Sequence, residues 1–163
     1  QYFSDMSQTM QTLRWLLGDL DVASYRPLVV ALPMLGVSFV VFGALAPSLN
    51  LLSLGDDLAA ARGVPVVRME RIAFLSASLA TGAAVSISGP IGFVGIIVPH
   101  LVRLLVGPDH RVVVPASLGF GAAFLVACDL ISRTALAPLE LPVGIVTALI
   151  GGPFFLWLLI RQP

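Results

Sequence analysis

"IAFLSASLATGAAVSISGPIGFVGIIVP", residues 72–99, runs for 28 residues without a charge. A helix that crosses a bilayer needs about 20 apolar residues, so this run is too long for one helix. Ser88-Gly89-Pro90 divides it, because proline breaks or kinks a helix and disfavours α geometry in the residue before it. Two spans follow, about 72–88 and 91–106, joined by a very tight turn. Outward from this pair, Leu28 to Leu49 gives a span without a charge, about 28–49. Val112 to Cys128 gives another, shortened by Asp129, and 141–160 gives the last, closed by Arg161. The expected fold is all-α and membrane-integral: a bundle of about five transmembrane helices with one short helix-turn-helix loop.

Composition agrees with that reading. Of 163 residues, 58% are hydrophobic and only 11% are charged, where a soluble domain carries about a quarter charged. Mean hydropathy is +0.99. Nine arginines balance nine acids and there is no lysine, so charge gives no argument for nucleic acid. The single cysteine, Cys128, excludes an internal disulfide framework and any multi-cysteine metal site; it reads as a packed small residue. The chain starts at Gln1 without a signal-peptide pattern, and residues 1–27 are polar and mixed, which points to a fragment or a processed chain.

Arginine placement sets the orientation, since cytoplasmic loops carry the excess of positive charge. Arg62, Arg68 and Arg71 in the 50–71 loop, Arg103 and Arg111, and Arg161 in the tail fall on one side. Arg14, Arg26 and Arg133 fall on the other. The side with six arginines is expected to be cytoplasmic. Ser76, Ala77, Ser78, Ala80, Gly82, Ala83 and Ala84, and then Gly119, Gly121, Ala122 and Ala123, make two helices rich in small residues. Such helices pack closely inside a bundle.

The loop "NLLSLGDDLAAARGVPVVRMER", residues 50–71, is expected to be ordered. Asp56 and Asp57 suit a helix start, against the positive end of the helix dipole. Gly63 is placed as a C-terminal cap, and Pro65 suits the first turn of a following helix. An ordinary interhelical loop and a docking knob for a cytoplasmic partner both fit these features. The small, weakly charged surface of Leu58, Ala59, Ala60 and Ala61 suits insertion into a groove.

The chemistry-bearing side chains are few. His100 and Arg103 are three apart and share a helix face. With His110 and Asp109 they read as the anchors and caps of two helix ends at the cytoplasmic interface rather than as metal ligands. Asp109 is a candidate N-cap, Arg111 a snorkelling side chain, and Asp129 a partner for Arg133 four residues on. Trp15 and Trp157 read as packing or interface anchors, and Pro153 as a kink in the last span. No catalytic residue, metal site or directly bound cofactor is expected. A haem carrier using His100 and His110, and an inactive or structural membrane fragment, are the competing readings.

"GFVGIIVPHLVRLLVGPDHRVVVP" (92–115) followed by "LELPVGIVTALIGGPFFLWLL" (139–159), with "LGDDLAAARGV" (54–64) ahead of them, closely resembles the permease subunit of ATP-binding-cassette importers for ferric siderophores, haem and vitamin B12. The resemblance covers essentially the whole chain, which corresponds to about the second half of the family's protein. It implies a ten-helix subunit working as a homodimer or pseudo-dimer, of which the five spans here match helices six to ten. It implies cytoplasmic ATP-binding subunits, a soluble binding protein outside, and residence in a bacterial or archaeal cytoplasmic membrane. The sequence has no GxxxxGK[ST] phosphate loop, so ATP would be used by the partner. By the same resemblance, Gly55, Asp56, Ala60, Gly63 and Pro65 are the ATPase-coupling positions. Arg133 and Glu140 lie near the binding-protein docking surface, where charge pairing with acidic residues would fix register. Gly144, Thr147, Gly151 and Gly152 lie on a helix that lines or borders the translocation path. His100, Arg103, Asp109 and Arg111 are the remaining interface positions.

Overall fold

The computed structural model describes residues 9, 12–21, 24–136 and 139–161. Much of the polar segment before the first span, and positions 162 and 163, lie outside the described residues. Every regular element among the described residues is helical. After a helical turn over 12–16 come α1 (Arg26–Leu52), α2 (Asp56–Ala61), α3 (Val66–Ser88), α4 (Val94–Val106), α5 (His110–Thr134) and α6 (Val143–Arg161). Four of these, α1, α3, α5 and α6, are long and apolar enough to cross a membrane.

The long uncharged run does divide where the tripeptide breaks it. α3 ends at Ser88, and Gly89 follows with φ 67°. The next helix begins later than the apolar pattern indicates, because Phe93 sits in the left-handed region at φ 66°. Its carbonyl accepts from Ile96 and Ile97, so helical bonding starts only there. The 13 residues of α4 extend ~20 Å at 1.5 Å per residue, short of the ~30 Å hydrocarbon core. The fifth apolar helix is therefore a short one.

Conversely, Asp129 does not end α5, which continues to Thr134. Its carboxylate is met one turn on by Arg133, 2.9 Å away. Ser132 and Thr134 turn their hydroxyls back onto the carbonyls of Asp129 and Leu130. The polar groups at this end are thus satisfied within the helix. Internal prolines occur in α1 (Pro33, Pro47), α4 (Pro99), α5 (Pro115) and α6 (Pro153).

The chain forms two compact units. One comprises 1–25, Val85–Val98 and 121–163. Its core is Cys128, Val143 and Val146, with Leu20, Ile91 and Phe124 packed against them. Here the chain before α1 is stitched to helix ends: Asp19 N–H donates to Ser88 O at 2.9 Å, and Gly144 N–H to Gly18 O at 3.1 Å. Backbone lies directly on backbone at two glycines. A Cβ at Gly89 would overlap the Trp15 carbonyl, and one at Gly144 the Leu17 carbonyl.

The other unit comprises Arg26–Ala84 and Pro99–Phe120. Ala31, Ser38, Leu45, Ala46, Ala59, Ser76, Ala83, Val102 and Val113 are buried within it. The small-residue helices are only partly covered within this chain. Ser76 and Ala83 are buried and Gly121 is half-buried, whereas Ala77, Ser78, Gly82, Gly119, Ala122 and Ala123 are exposed. The expected close packing is met along one stripe of each helix, and the opposite stripe is open.

Candidate functional site: the α1–α3 loop and the polar network at its root

The loop folds as its sequence indicates. Asp56 and Asp57 occupy the first turn of α2, and Gly55 stands at its N-cap with φ 115°. The far end is closed by two bonds, Val64 N–H to Ala59 O at 3.0 Å and Gly63 N–H to Ala60 O at 2.9 Å. These are the paired bonds of a Schellman cap, with Gly63 at the left-handed position (φ 82°). Pro65 stands one residue before α3, its carbonyl accepting from Met69 N–H at 3.0 Å. Ala59 is fully buried, and α2 packs back onto α1. Leu58, Ala60, Ala61 and Arg62 are exposed. An open, mainly apolar groove runs along Ala60, Val64, Pro65 and Val67, with Arg68 and Arg71 at its edge. A rigid knob with a small-residue surface and a cationic rim can seat in a cleft on another protein.

A polar network roots this loop. Asn50, in the last turn of α1, donates from Nδ2 to Asp109 Oδ1 at 2.6 Å. Its Oδ1 accepts from His110 N–H at 2.8 Å and lies 2.7 Å from His110 Nδ1. Arg103 Nη2 lies 3.5 Å from His110 Nε2. The pattern fixes the imidazole tautomer: Nδ1 carries the proton towards Asn50, and Nε2 accepts from the guanidinium. Both ring nitrogens of His110 thus face polar side chains of this chain. Among the described residues no three His, Cys, Asp or Glu side chains gather to hold a metal. His100 is half-buried on α4, and Arg111 is exposed at the start of α5.

Asp109 is the N-cap expected of it, its Oδ1 accepting from Arg111 N–H at 2.9 Å. That bond, and then the Asn50 amide, hold its carboxyl below the usual carboxylate range. A lowered folded-state pKa contributes stability above the unfolded value of about 3.9, lost as pH falls through the lowered value. The stability difference between the native chain and Asp109→Asn is therefore expected to be flat across neutral pH and to change only in acid. Thermal unfolding in detergent against pH measures it.

Asn50 escaped the sequence reading. It looks like the first loop residue after an apolar run, and only its contacts with residues 59 and 60 positions away distinguish it.

In the other unit, Arg133 Nε is held by Asp129 Oδ2 at 2.9 Å, and Arg14 Nη1 lies 3.8 Å from Glu140 Oε2. Arg14 and Glu140 are 126 positions apart, so sequence spacing gives no sign of this pair. The Arg14–Glu140 pair is exposed and the Asp129–Arg133 pair partly so, and pairs near the surface contribute about 0–1 kcal/mol. Asp129→Asn is expected to change stability by less than about 0.5 kcal/mol, read from thermal unfolding.

On α6, Thr147 is fully buried and its hydroxyl donates to Gly144 O at 3.0 Å. Gly144 lies against Leu17, and Gly151 against the Phe93 ring. A Cβ at Gly152 would meet nothing within 4 Å. Of the four α6 positions expected to line or border a path, Gly144, Thr147 and Gly151 are packed within their unit, and Gly152 borders open space.

These features define a helical protein with several membrane-crossing helices and an ordered interhelical loop. Residues 1–161 match the model of the FecCD transport family. The chain belongs to this family. The hemin transport system permease protein HmuU of Yersinia pestis is 42% identical over 161 residues, 99% of this chain and 48% of that protein. The cobalamin import system permease protein BtuC of Halobacterium salinarum is 51% identical over 146 residues, 89% of this chain and 39% of that protein. A solved structure described as an inward-facing conformation of a metal-chelate type ABC transporter superposes with TM-score 0.78 at 36% identity, covering 91% of this chain and 48% of that one. The chain spans about half the length of the relatives it matches.

Proposed function

We propose that this chain is the C-terminal half of the permease subunit of an ATP-driven importer for a metal chelate: a ferric siderophore, haem or cobalamin. The observation that carries this reading is the family match along residues 1–161, together with relatives whose names specify hemin and cobalamin. The subunit sits in the cytoplasmic membrane of a bacterium or archaeon. It pairs with a second permease subunit, with ATP-binding subunits in the cytoplasm and with a soluble binding protein outside. ATP is used by the partner. The α2 knob, with Gly55, Asp56, Ala60, Gly63 and Pro65, is the ATPase contact. Its exposed small residues and the adjacent groove support this role, as does the arginine bias that assigns it to the cytoplasm. Arg133 and Glu140, with Asp129 and Arg14 beside them, form the docking surface for the binding protein. Because cations and acids alternate there, complementary pairs rather than one sign of charge fix the register. Gly152 is the α6 position best placed to border the path; Gly144, Thr147 and Gly151 hold the helix in position. The open stripes of small residues on α3 and α5 suit helices that pack against further permease helices.

The test is ATP-dependent uptake by vesicles holding the full permease with its ATP-binding subunit and binding protein. Labelled hemin, cobalamin and a ferric hydroxamate are supplied in turn. Uptake of one of them supports the reading. Absence of uptake for all three, with ATP hydrolysis intact, rejects the chelate assignment.

A further inference from the structure

We infer that Asn50 is a positioning residue for energy coupling, fastening the α2 knob to the turn between α4 and α5 so that the two segments move as one body. This rests on the reading of α2 as the ATPase contact.

The path from knob to asparagine is stiff. Between Asn50 and α2 the backbone is bonded at successive steps: Ser53 N–H to Leu49 O, Leu54 N–H to Leu51 O and Gly55 N–H to Leu52 O, at 3.0–3.1 Å. Ser53 Oγ adds a bond to Asn50 O at 2.8 Å. Displacement applied at α2 therefore reaches the Asn50 backbone without a flexible joint. From there the carboxamide carries it across. Its oxygen holds the first N–H of α5 and the His110 ring, and its NH₂ holds Asp109. Asp109 Oδ1 also caps α5 through Arg111 N–H, and His110 Nε2 faces Arg103 on α4. One short side chain thus reaches the end of α1, the start of α5 and, through the imidazole, α4.

The chemistry demands an amide at this position. The oxygen must accept from two N–H groups while the nitrogen donates to a carboxylate. Aspartate would set a like charge beside Asp109 and lack the donor. Alanine would leave both sides untied. Exchanging the two residues, Asn50→Asp with Asp109→Asn, restores a donor facing an acceptor, and asparagine still serves as an N-cap.

The experiment measures the distance between nitroxide labels on Leu58→Cys and Pro108→Cys, in a Cys128→Ala background. The full permease is assembled with its ATP-binding subunits and compared nucleotide-free and trapped with ATP and vanadate. With Asn50 intact, one narrow distance is expected in both states. With Asn50→Ala the distribution is expected to broaden or to shift between states, and the exchanged pair is expected to restore it. Two results overturn the inference: an Asn50→Ala distribution as narrow and state-independent as the native one, or a native distance that shifts on trapping. The exchanged pair keeps the test decisive should Asn50→Ala fail to fold, since failure to restore the narrow distance also counts against it. If the native permease captures no ATP-binding subunit, the coupling-loop reading falls and this inference with it. Capture with either overturning distance result rejects the Asn50 role alone.

Discussion

Gly144→Ala is expected to destabilise its unit by about 1–3 kcal/mol, the range for forcing an extra carbon into a packed site. The new Cβ would overlap the Leu17 carbonyl, and both flanks of the collision are backbone. The Gly144 N–H also donates to Gly18 O. Moving α6 away to make room would stretch that bond, one of the two backbone bonds that, among the described residues, tie the segment before α1 to helix ends. Gly152→Ala provides the contrast, because a Cβ there meets nothing within 4 Å and alanine favours helix over glycine by about 1 kcal/mol. Its stability is expected to be unchanged or slightly raised. Thermal unfolding of both variants in detergent makes the comparison. Equal midpoints would show that the contact at Gly144 relaxes freely. Uptake completes the separation: a transport defect in Gly152→Ala with native stability supports a path role, whereas one in Gly144→Ala tracks lost packing.

The spans were legible because a bilayer imposes length and apolarity, and Ser88-Gly89-Pro90 signals its own break. The α2 loop was legible for a different reason. Acids at a helix start, glycine at its end and proline before the next helix each answer a local backbone requirement, so the ten residues from Asp56 to Pro65 suffice to read it. The late start of α4 was not legible. Phe93 adopts φ 66° in a tertiary setting where its ring covers Gly151, and no neighbouring residue announces that. Nor was the continuation of α5 past Asp129, where an acid that ordinarily marks a membrane boundary is neutralised by Arg133 on its own helix.

The candidate site divides along the same line. Asp109 as N-cap and the Asp129–Arg133 pair are relations between near neighbours, and sequence spacing exposes them. Asn50 with His110, Arg14 with Glu140 and Gly144 with Leu17 join residues 60, 126 and 127 positions apart in sequence. Such contacts are fixed only when helices pack. The glycines of α6 show the consequence: resemblance assigns them to one helix and one role, whereas their surroundings separate Gly152 from the other two.

The second large effect concerns the α2 knob, where surface and shape are separable. Ala60→Arg keeps a helix former within α2, so the fold of the loop is expected to survive, while a bulky cation occupies an exposed position on the groove wall. Gly63→Arg acts through the backbone instead. Space around it is open, but φ is 82°, and a side chain in the left-handed region costs about 1–2 kcal/mol. Gly63→Asn is the control, because asparagine tolerates that region. If α2 seats in a cleft of the ATP-binding subunit, Ala60→Arg in the full permease is expected to reduce capture of that subunit at least about a hundredfold. This matches the 2–4 kcal/mol or more lost when the centre of an interface is spoiled. Gly63→Arg should reduce it severalfold, and Gly63→Asn should leave it near native. Co-purification quantified against permease recovered from the same membranes measures the three together. Native capture by Ala60→Arg would remove the exposed face of α2 from the interface, whatever the fate of Gly63→Arg. Loss in Ala60→Arg with retention in Gly63→Asn would locate the contact on the side chains of α2 and leave Gly63 the task of ending the helix where the knob must end.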